Sequence, residues 1–268
     1  MTTQEFQDLV WQKGRELYRE MPWRSDTRPY YVLVSELMLQ QTQVTRVLPK
    51  FIEFIKAFPD EQALSRASLG DVLRYWQGLG YNRRAKYLHE AARMVVEEWG
   101  GVWPRTVEEL QKLPGVGVNT AGAIAAYAYS KSTVFIETNI RTVYLLHFFE
   151  NEIEVNDAAL REKVAQTLDT EHPREFYWAL MDYGAWLKSR GVRNISASVH
   201  YRRQSKLEGS IRQVRGQIVS ALARQGAMSE QELRRELDAD ERFEAALEGV
   251  VRDGLVSRPS RDILHLTK

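Results

Sequence analysis

The chain has no cysteine in its 268 residues. That excludes disulfides, thiolate metal sites, a cysteine nucleophile and a cysteine-held iron–sulfur cluster together. Histidine is scarce too, and five scattered residues offer no tight ligand set. No apolar run approaches the roughly 20 residues of a membrane span. The opening Met1-Thr2-Thr3-Gln4-Glu5 lacks the basic and apolar regions of a signal peptide, so a soluble cytoplasmic protein without a membrane partner is expected. Nor is there an excess of one charge: 37 Lys and Arg stand against 36 Asp and Glu, and a whole-molecule field cannot attract a polyanion. Local clustering must do so. The clearest cluster lies between Lys188 and Arg215, where Lys188, Arg190, Arg193, Arg202, Arg203, Lys206, Arg212 and Arg215 face one acid, Glu208. That stretch is a candidate phosphate-contact surface or, alternatively, a solvated linker.

What is present is helix. With 44% hydrophobic residues the chain can bury a sizeable core and a smaller module. Apolar residues recur at three- and four-residue spacing near 4–20, 30–43, 47–57, 60–66, 69–77, 83–99, 106–112, 117–130, 139–149, 157–168 and 173–189, which predicts a mainly α fold. Pro29 suits a first helical turn, Gly100-Gly101 ends a helix and Asn156 suits a cap. The pattern weakens into Ser, Arg and Asn around 190–209, which places a boundary near 205 and predicts domains 1–205 and 206–268. Beyond it, helices over Ser210–Gln225, Ser229–Leu237 and Glu241–Asp253 precede two short strands around Arg258-Pro259, in the manner of a winged-helix module. The third of these helices carries Glu241, Glu244, Glu248 and Asp253 against Arg242 and Arg252. Such acidity suits packing or protein contact at least as well as DNA.

Leu113-Pro114-Gly115-Val116-Gly117 falls between two helical segments, the arrangement of a helix-hairpin-helix or of a plain interhelical turn. Glycine at 115 and 117 allows backbone N–H groups to approach a phosphate, and the N-terminus of the next helix adds a favourable dipole.

The motifs accumulate in order. Pro22-Trp23-Arg24 is followed by Ser35-Glu36-Leu37-Met38-Leu39-Gln40-Gln41-Thr42-Gln43, then by Trp76-Gln77-Gly78-Leu79-Gly80-Tyr81 with Arg83-Arg84-Ala85. The hairpin, Ile136-Glu137-Thr138-Asn139-Ile140-Arg141 and Met181-Asp182-Tyr183-Gly184-Ala185 complete the series. Over roughly residues 5–190 the sequence resembles the helix-hairpin-helix (HhH-GPD) DNA glycosylases, closest to the MutY-type adenine glycosylases but without their iron–sulfur cluster. The resemblance implies a two-lobed helical fold and hydrolysis of the N-glycosidic bond of a flipped, mispaired or damaged base in double-stranded DNA, adenine first. A monomer is expected.

Roles follow from the resemblance. Glu36 matches the general acid that protonates the departing purine, and partial burial among Val34, Leu37 and Leu39 would raise its pKa. Glu137 stands where the family carries an aspartate that stabilises the cationic sugar; an ionised carboxylate about 4 Å away is worth on the order of 4 kcal/mol at an effective dielectric near 20. Its other reading is a helix-capping acid. Asn119 falls where bifunctional relatives carry a Schiff-base lysine, so no strong strand-nicking lyase activity is expected; it would bond the flipped nucleotide or a water, or cap the next helix. Gln41, beside Thr42, matches an intercalating wedge, Leu79 and Tyr81 match residues that probe the opposite base, Trp23 and Arg24 match the lip of the base pocket, and Asp182 a further pocket contact. Backbone carbonyls of Gln111, Leu113 and Val116 match a monovalent cation site for sodium or potassium; no other cofactor is expected. Arg202 and Arg203 are candidates for phosphate contact. Two rival readings stand beside this one: a thymine or uracil mismatch glycosylase on the same scaffold, and a catalytically weak or silent lesion-binding protein.

Overall fold

The computed structural model describes residues 1–150, 152, 154–192, 206–260 and 262–267. The helices are α1 (Thr3–Leu17), α2 (Pro22–Ser25), α3 (Pro29–Leu39), α4 (Val44–Ala57), α5 (Glu61–Arg66), α6 (Leu69–Tyr75) and α7 (Arg83–Arg93), which runs on into a π turn at Met94–Glu98. After these come α8 (Val107–Leu110), α9 (Val118–Tyr129), α10 (Thr138–Phe148), α11 (Asp157–Thr167) and α12 (Pro173–Ser189). Then follow α13 (Ile211–Gln225), β1 (Met228–Ser229), α14 (Glu230–Glu236), α15 (Phe243–Arg252), β2 (Val256–Ser257) and β3 (Ile263–Leu266). The mainly α expectation holds: α1 and α4 each turn one apolar stripe to the core, whereas α9 and α10 are buried all round, over Ala121–Tyr127 and Ile140–Leu145.

Caps account for many boundaries. Thr2 and Ser229 close capping boxes with Glu5 and Glu232, and Asn156 accepts from the Ala159 N–H at 2.9 Å. Among the described residues no helix is long and apolar enough to cross a membrane.

The chain packs as two compact units. The first comprises Met1–Val32, Pro104–Lys112 and Val116–Arg203. Its core lies where α1 and α10 meet α12: the Phe6 ring is 5.1 Å from Tyr144 and 4.8 Å from Phe148, and the Phe135 ring is 4.1 Å from Tyr177. The buried Tyr144 hydroxyl shares a 2.8 Å hydrogen bond with Thr167 Oγ1, so the ring is buried with its polar end satisfied.

The second unit comprises Leu33–Trp103, Leu113–Gly115 and Gln204–Lys268. The C-terminal residues therefore group with α4–α7. Val214, Ile218 and Leu222 of α13 are buried, and Gly70 in α6 lies so close to β3 that a β-carbon there would meet Leu266 Cβ at 3.3 Å. The expected three helices and hairpin are present, with β1 in addition: β3 pairs antiparallel with β1 (Met228↔Leu264) and with β2 (Val256↔Leu266). A two-residue strand carries no alternation to read, so β1 left no mark in the sequence pattern.

Candidate active site

In the second unit, Glu36 sits half-buried on α3 between buried Ser35 and Leu37. Three residues beyond it the helix ends, and Gln41 takes φ +55 in the left-handed region. Tyr81, which closes the turn after Trp76, takes φ +49. Two non-glycine residues in that strained region are held by one side chain. Arg84, buried in the first turn of α7, donates from Nη1 to the carbonyls of Leu37 (2.6 Å), Met38 (2.9 Å) and Gln40 (2.6 Å). Its Nη2 donates to the carbonyls of Leu79 (3.1 Å) and Gly80 (3.0 Å) and to Thr42 Oγ1 (3.2 Å). The guanidinium therefore closes the open carbonyl end of α3 and ties it to the 79–81 turn. Burial pulls its pKa down to about 10, which still leaves it cationic at neutral pH.

Of the sequence candidates around this staple, Gln41 is exposed, Thr42 donates to the Leu79 carbonyl at 3.4 Å, and Leu79 is 3% exposed. Tyr81 is half-buried; its hydroxyl accepts from Arg212 Nη1 at 2.7 Å. In the sequence Arg84 is one residue of the motif that follows Tyr81, and Arg212 is one member of a basic cluster. Neither partner set is visible in sequence: backbone carbonyls, which take most of the Arg84 bonds, carry no residue signature, and Arg212 reaches Tyr81 across 131 positions.

The hairpin divides its glycines by function. Gly115 has φ +77, and a β-carbon there would meet Tyr87 Cβ at 2.8 Å, so both conformation and packing demand glycine. Gly117 is exposed and is the N-cap of α9 with φ −86; a β-carbon there would meet nothing within 4 Å. Its bareness serves no internal contact, and no side chain caps the amides of α9. Leu113 is buried at 2% exposure, Val116 at 6%, and Gln111 is the exposed C-cap of α8.

In the first unit, Glu137 is the half-buried N-cap residue of α10, and its side chain makes no capping hydrogen bond to that helix. The helix dipole favours its ionised form. Asn119 supports the strand of chain leading to it: Asn119 Oδ1 accepts from the Ile136 N–H at 3.3 Å and from Arg161 Nη2 at 2.9 Å. Asn119 lies inside α9 and does not cap it. Lys188, on the last turn of α12, donates to Asn139 Oδ1 at 2.8 Å. Burial pulls the Lys188 pKa down to about 8, against the attraction of the nearby Glu137 carboxylate. Gly184 lets α12 pass directly under α10; a β-carbon there would lie on the Asn139 carbonyl, 2.7 Å from its carbon.

Asp182 is 2% exposed and Arg24 8%. Arg24 grips the carboxylate in bidentate fashion at 2.7 and 3.0 Å, and Arg19 adds its backbone N–H at 3.2 Å and Nε at 2.6 Å. These four donors fill the carboxylate's acceptor sites, so Asp182 acts here as a buried anchor between α12 and the start of the chain. Trp23, at 8% exposure, packs inside the same unit. The basic cluster also divides. Lys188 and Arg212 are engaged as above, Arg215 pairs with Asp253, and Arg190 and Lys206 are exposed. Arg202 and Arg203 lie outside the described residues.

The fold is that of the helix-hairpin-helix glycosylases: it matches a thermostable thymine-DNA glycosylase with TM-score 0.62 at 26% identity, covering 68% of this chain and 86% of that one. A trapped endonuclease III–DNA covalent intermediate has the same fold, with TM-score 0.58 at 16% identity over 69% and 87% of the two chains. A family model described as "HhH-GPD superfamily base excision DNA repair protein" matches residues 34–169, and the chain belongs to that family. It is 33% identical to the adenine DNA glycosylase of Mycobacterium tuberculosis (strain ATCC 25618 / H37Rv) over 267 residues, 90% of this chain and 86% of that one. To the adenine DNA glycosylase of Homo sapiens it is 40% identical over 187 residues, 68% of this chain and 33% of that one. It spans 51% of the corresponding protein of Buchnera aphidicola subsp. Baizongia pistaciae, at 34% identity over 183 residues.

Proposed function

We propose that the protein is a monofunctional DNA N-glycosylase that releases adenine from a mispair with guanine or 8-oxoguanine. The observation that carries this reading is the likeness to the M. tuberculosis adenine DNA glycosylase along 90% of the chain.

The chemistry assigned to the residues is a division of labour between two carboxyl groups. Glu36 gives its proton to the departing purine as the C–N bond breaks, and its carboxylate then takes a proton from the water that adds to the sugar. Glu137, ionised, faces the positive charge on the sugar. Asn119 is a positioning residue, holding Ile136 and through it the approach to Glu137; with an amide in place of an amine no imine forms. Gln41 enters the stack where the base has left, on a turn set by Thr42 and Leu79, and Tyr81 meets the opposite strand. Gly115, Gly117 and the amides of α9 take a phosphate. Trp23, Arg24 and Asp182 brace the base pocket from within. Arg202 and Arg203 supply phosphate contacts. The carbonyls of Gln111, Leu113 and Val116 are neutral oxygens of the kind that suit sodium or potassium, and no chemical step passes through such an ion.

The test is a screen of labelled duplexes bearing mismatched, oxidised, deaminated and alkylated bases, read with and without alkali to separate base loss from strand cutting. The expected result is adenine release with strand breaks only after alkali. Breaks without alkali would overturn the monofunctional assignment. The likeness to a thymine-DNA glycosylase favours a second reading, thymine or uracil release from mismatches, which the same screen would reveal as freed pyrimidine with adenine untouched.

A further inference from the structure

Between α9 and α10, residues 130–137 form neither helix nor strand. Phe135 and Ile136 are nevertheless buried, and the stretch ends on Glu137. Backbone polar groups of such a segment have no sheet neighbour and need partners from elsewhere. Side chains from three helices of the first unit supply them. Tyr177 of α12 donates its hydroxyl to the Thr133 carbonyl at 2.7 Å, and Asn119 of α9 accepts the Ile136 N–H. Arg161 of α11 makes two of these bonds at once: Nη1 donates to the Val134 carbonyl at 3.1 Å and Nη2 to Asn119 Oδ1 at 2.9 Å.

The fork matters because of what Asn119 is. A side-chain amide carries an acceptor on one side and two donors on the other, and a half-turn of the group exchanges them. Both neighbours that meet Asn119 here, the Ile136 N–H and the guanidinium, can only donate. Oδ1 therefore faces them and Nδ2 is turned away. Without Arg161 that orientation would rest on one N–H at 3.3 Å, longer than the usual range. The path from the guanidinium to the catalytic carboxylate is short, since it crosses Asn119 and the Ile136 N–H, and Glu137 is the next residue.

We infer that Arg161 is a positioning residue for base excision: its guanidinium fixes the Asn119 amide and the 134–136 stretch together, and through them the place of the Glu137 carboxylate beside the cationic sugar. The inference rests on the DNA glycosylase reading above. Stabilisation by a carboxylate falls with its distance from the developing charge, and the charge develops only as the bond breaks. Loss of Arg161 should therefore appear in the rate of cleavage and not in the grip on the duplex.

The test uses the full chain and compares the wild type with Arg161→Met, Arg161→Lys, Asn119→Ala and the double variant Arg161→Met with Asn119→Ala. Methionine keeps an unbranched stem and removes every donor. Each protein is read by single-turnover base release, by affinity for a duplex carrying an uncleavable nucleotide analogue, and by amide exchange at Ile136. Arg161→Met should slow release about tenfold, the scale of a small misplacement of a catalytic group, at unchanged affinity and with faster exchange at Ile136. Arg161→Lys, whose ammonium can still reach one acceptor, should recover part of both. The double variant should be no slower than the slower single one, because the two residues act through one bond. Tyr177→Phe is the control: it removes the bond to Thr133 and should lower the melting temperature while keeping release within about twofold of the wild type. Wild-type release by a folded Arg161→Met protein, a double variant slowed by the product of the single effects, or Tyr177→Phe slowed as much as Arg161→Met would each overturn the inference. If exchange at Ile136 quickens but the wild type releases no base from any duplex, the glycosylase reading is what fails; if the wild type releases a base and Arg161→Met does so at the same rate, that reading stands and the role of Arg161 fails.

Discussion

Arg84 donates to six oxygens from two segments of chain, 37–42 and 79–80, and no other side chain combines a fixed planar fork with a permanent charge. Lysine keeps the charge but has three donors on a point, so Arg84→Lys leaves several buried carbonyls unsatisfied. The expected loss is about 2–3 kcal/mol, in line with the cost of stranding buried polar groups. Urea unfolding measures it; a change under about 1 kcal/mol would show that water replaces the guanidinium freely.

Lys188 gives a pH signature. Its folded pKa is lowered to about 8 from an ordinary 10.5, first by burial. Below pH about 8 folded and unfolded chains both hold the proton, and the burial penalty is complete. Between about 8 and 10.5 the folded chain has released it while the unfolded chain retains it, so this group's contribution to stability rises with pH. Relative to Lys188→Met, the wild type should gain stability between pH 7.5 and 10, read from paired urea midpoints. A constant difference would mean that the ammonium stays charged in the fold. The sequence placed Lys188 in a basic cluster and Arg84 in an Arg-Arg-Ala-Lys helix start, both patterns of solvated surface. Their burial follows from packing contributed by segments tens of residues away, which local spacing cannot report.

At the scale of elements the sequence was far more legible. Helix after helix begins and ends within a few residues of its apolar stripe, because caps and periodicity are local chemistry. The exceptions are structural details of short range with no period: the four-residue α2, the π turn after α7 and the two-residue β1. Gly184 shows what a motif glycine is for. Gly184→Ala drives a methyl onto the Asn139 carbonyl and should destabilise the first unit by about 1–3 kcal/mol, the usual cost of overpacking. The displaced N-terminus of α10 carries Glu137, so excision should fall by more than stability predicts at a temperature where the variant is folded. Wild-type excision in a folded Gly184→Ala protein would separate that helix crossing from the chemistry.

For the whole molecule, an almost balanced charge means that DNA affinity comes from placed groups. Removing Arg202 and Arg203 together should lower the slope of log K against log salt by up to about two, since each phosphate contact contributes about 0.9. An unchanged slope would move the phosphate surface elsewhere. The C-terminal residues are also part of the second unit's core through α13 and β3, so a chain ending at residue 205 should melt at lower temperature and lose protection from proteases across residues 33–103. The family was readable from ordered motifs. The fork of Arg161 was not, because its partners lie 27 and 42 residues away and meet it only in the fold.

In the proposed mechanism Glu137 stabilises a cationic sugar while Glu36 releases the base. Its most direct measurement is single-turnover adenine release by Glu137→Gln beside the wild type, with duplex affinity measured on the same preparations. The expected result is a loss on the order of a thousandfold in rate, the equivalent of about 4 kcal/mol, with affinity unchanged. Release at the wild-type rate by a folded Glu137→Gln protein would contradict it.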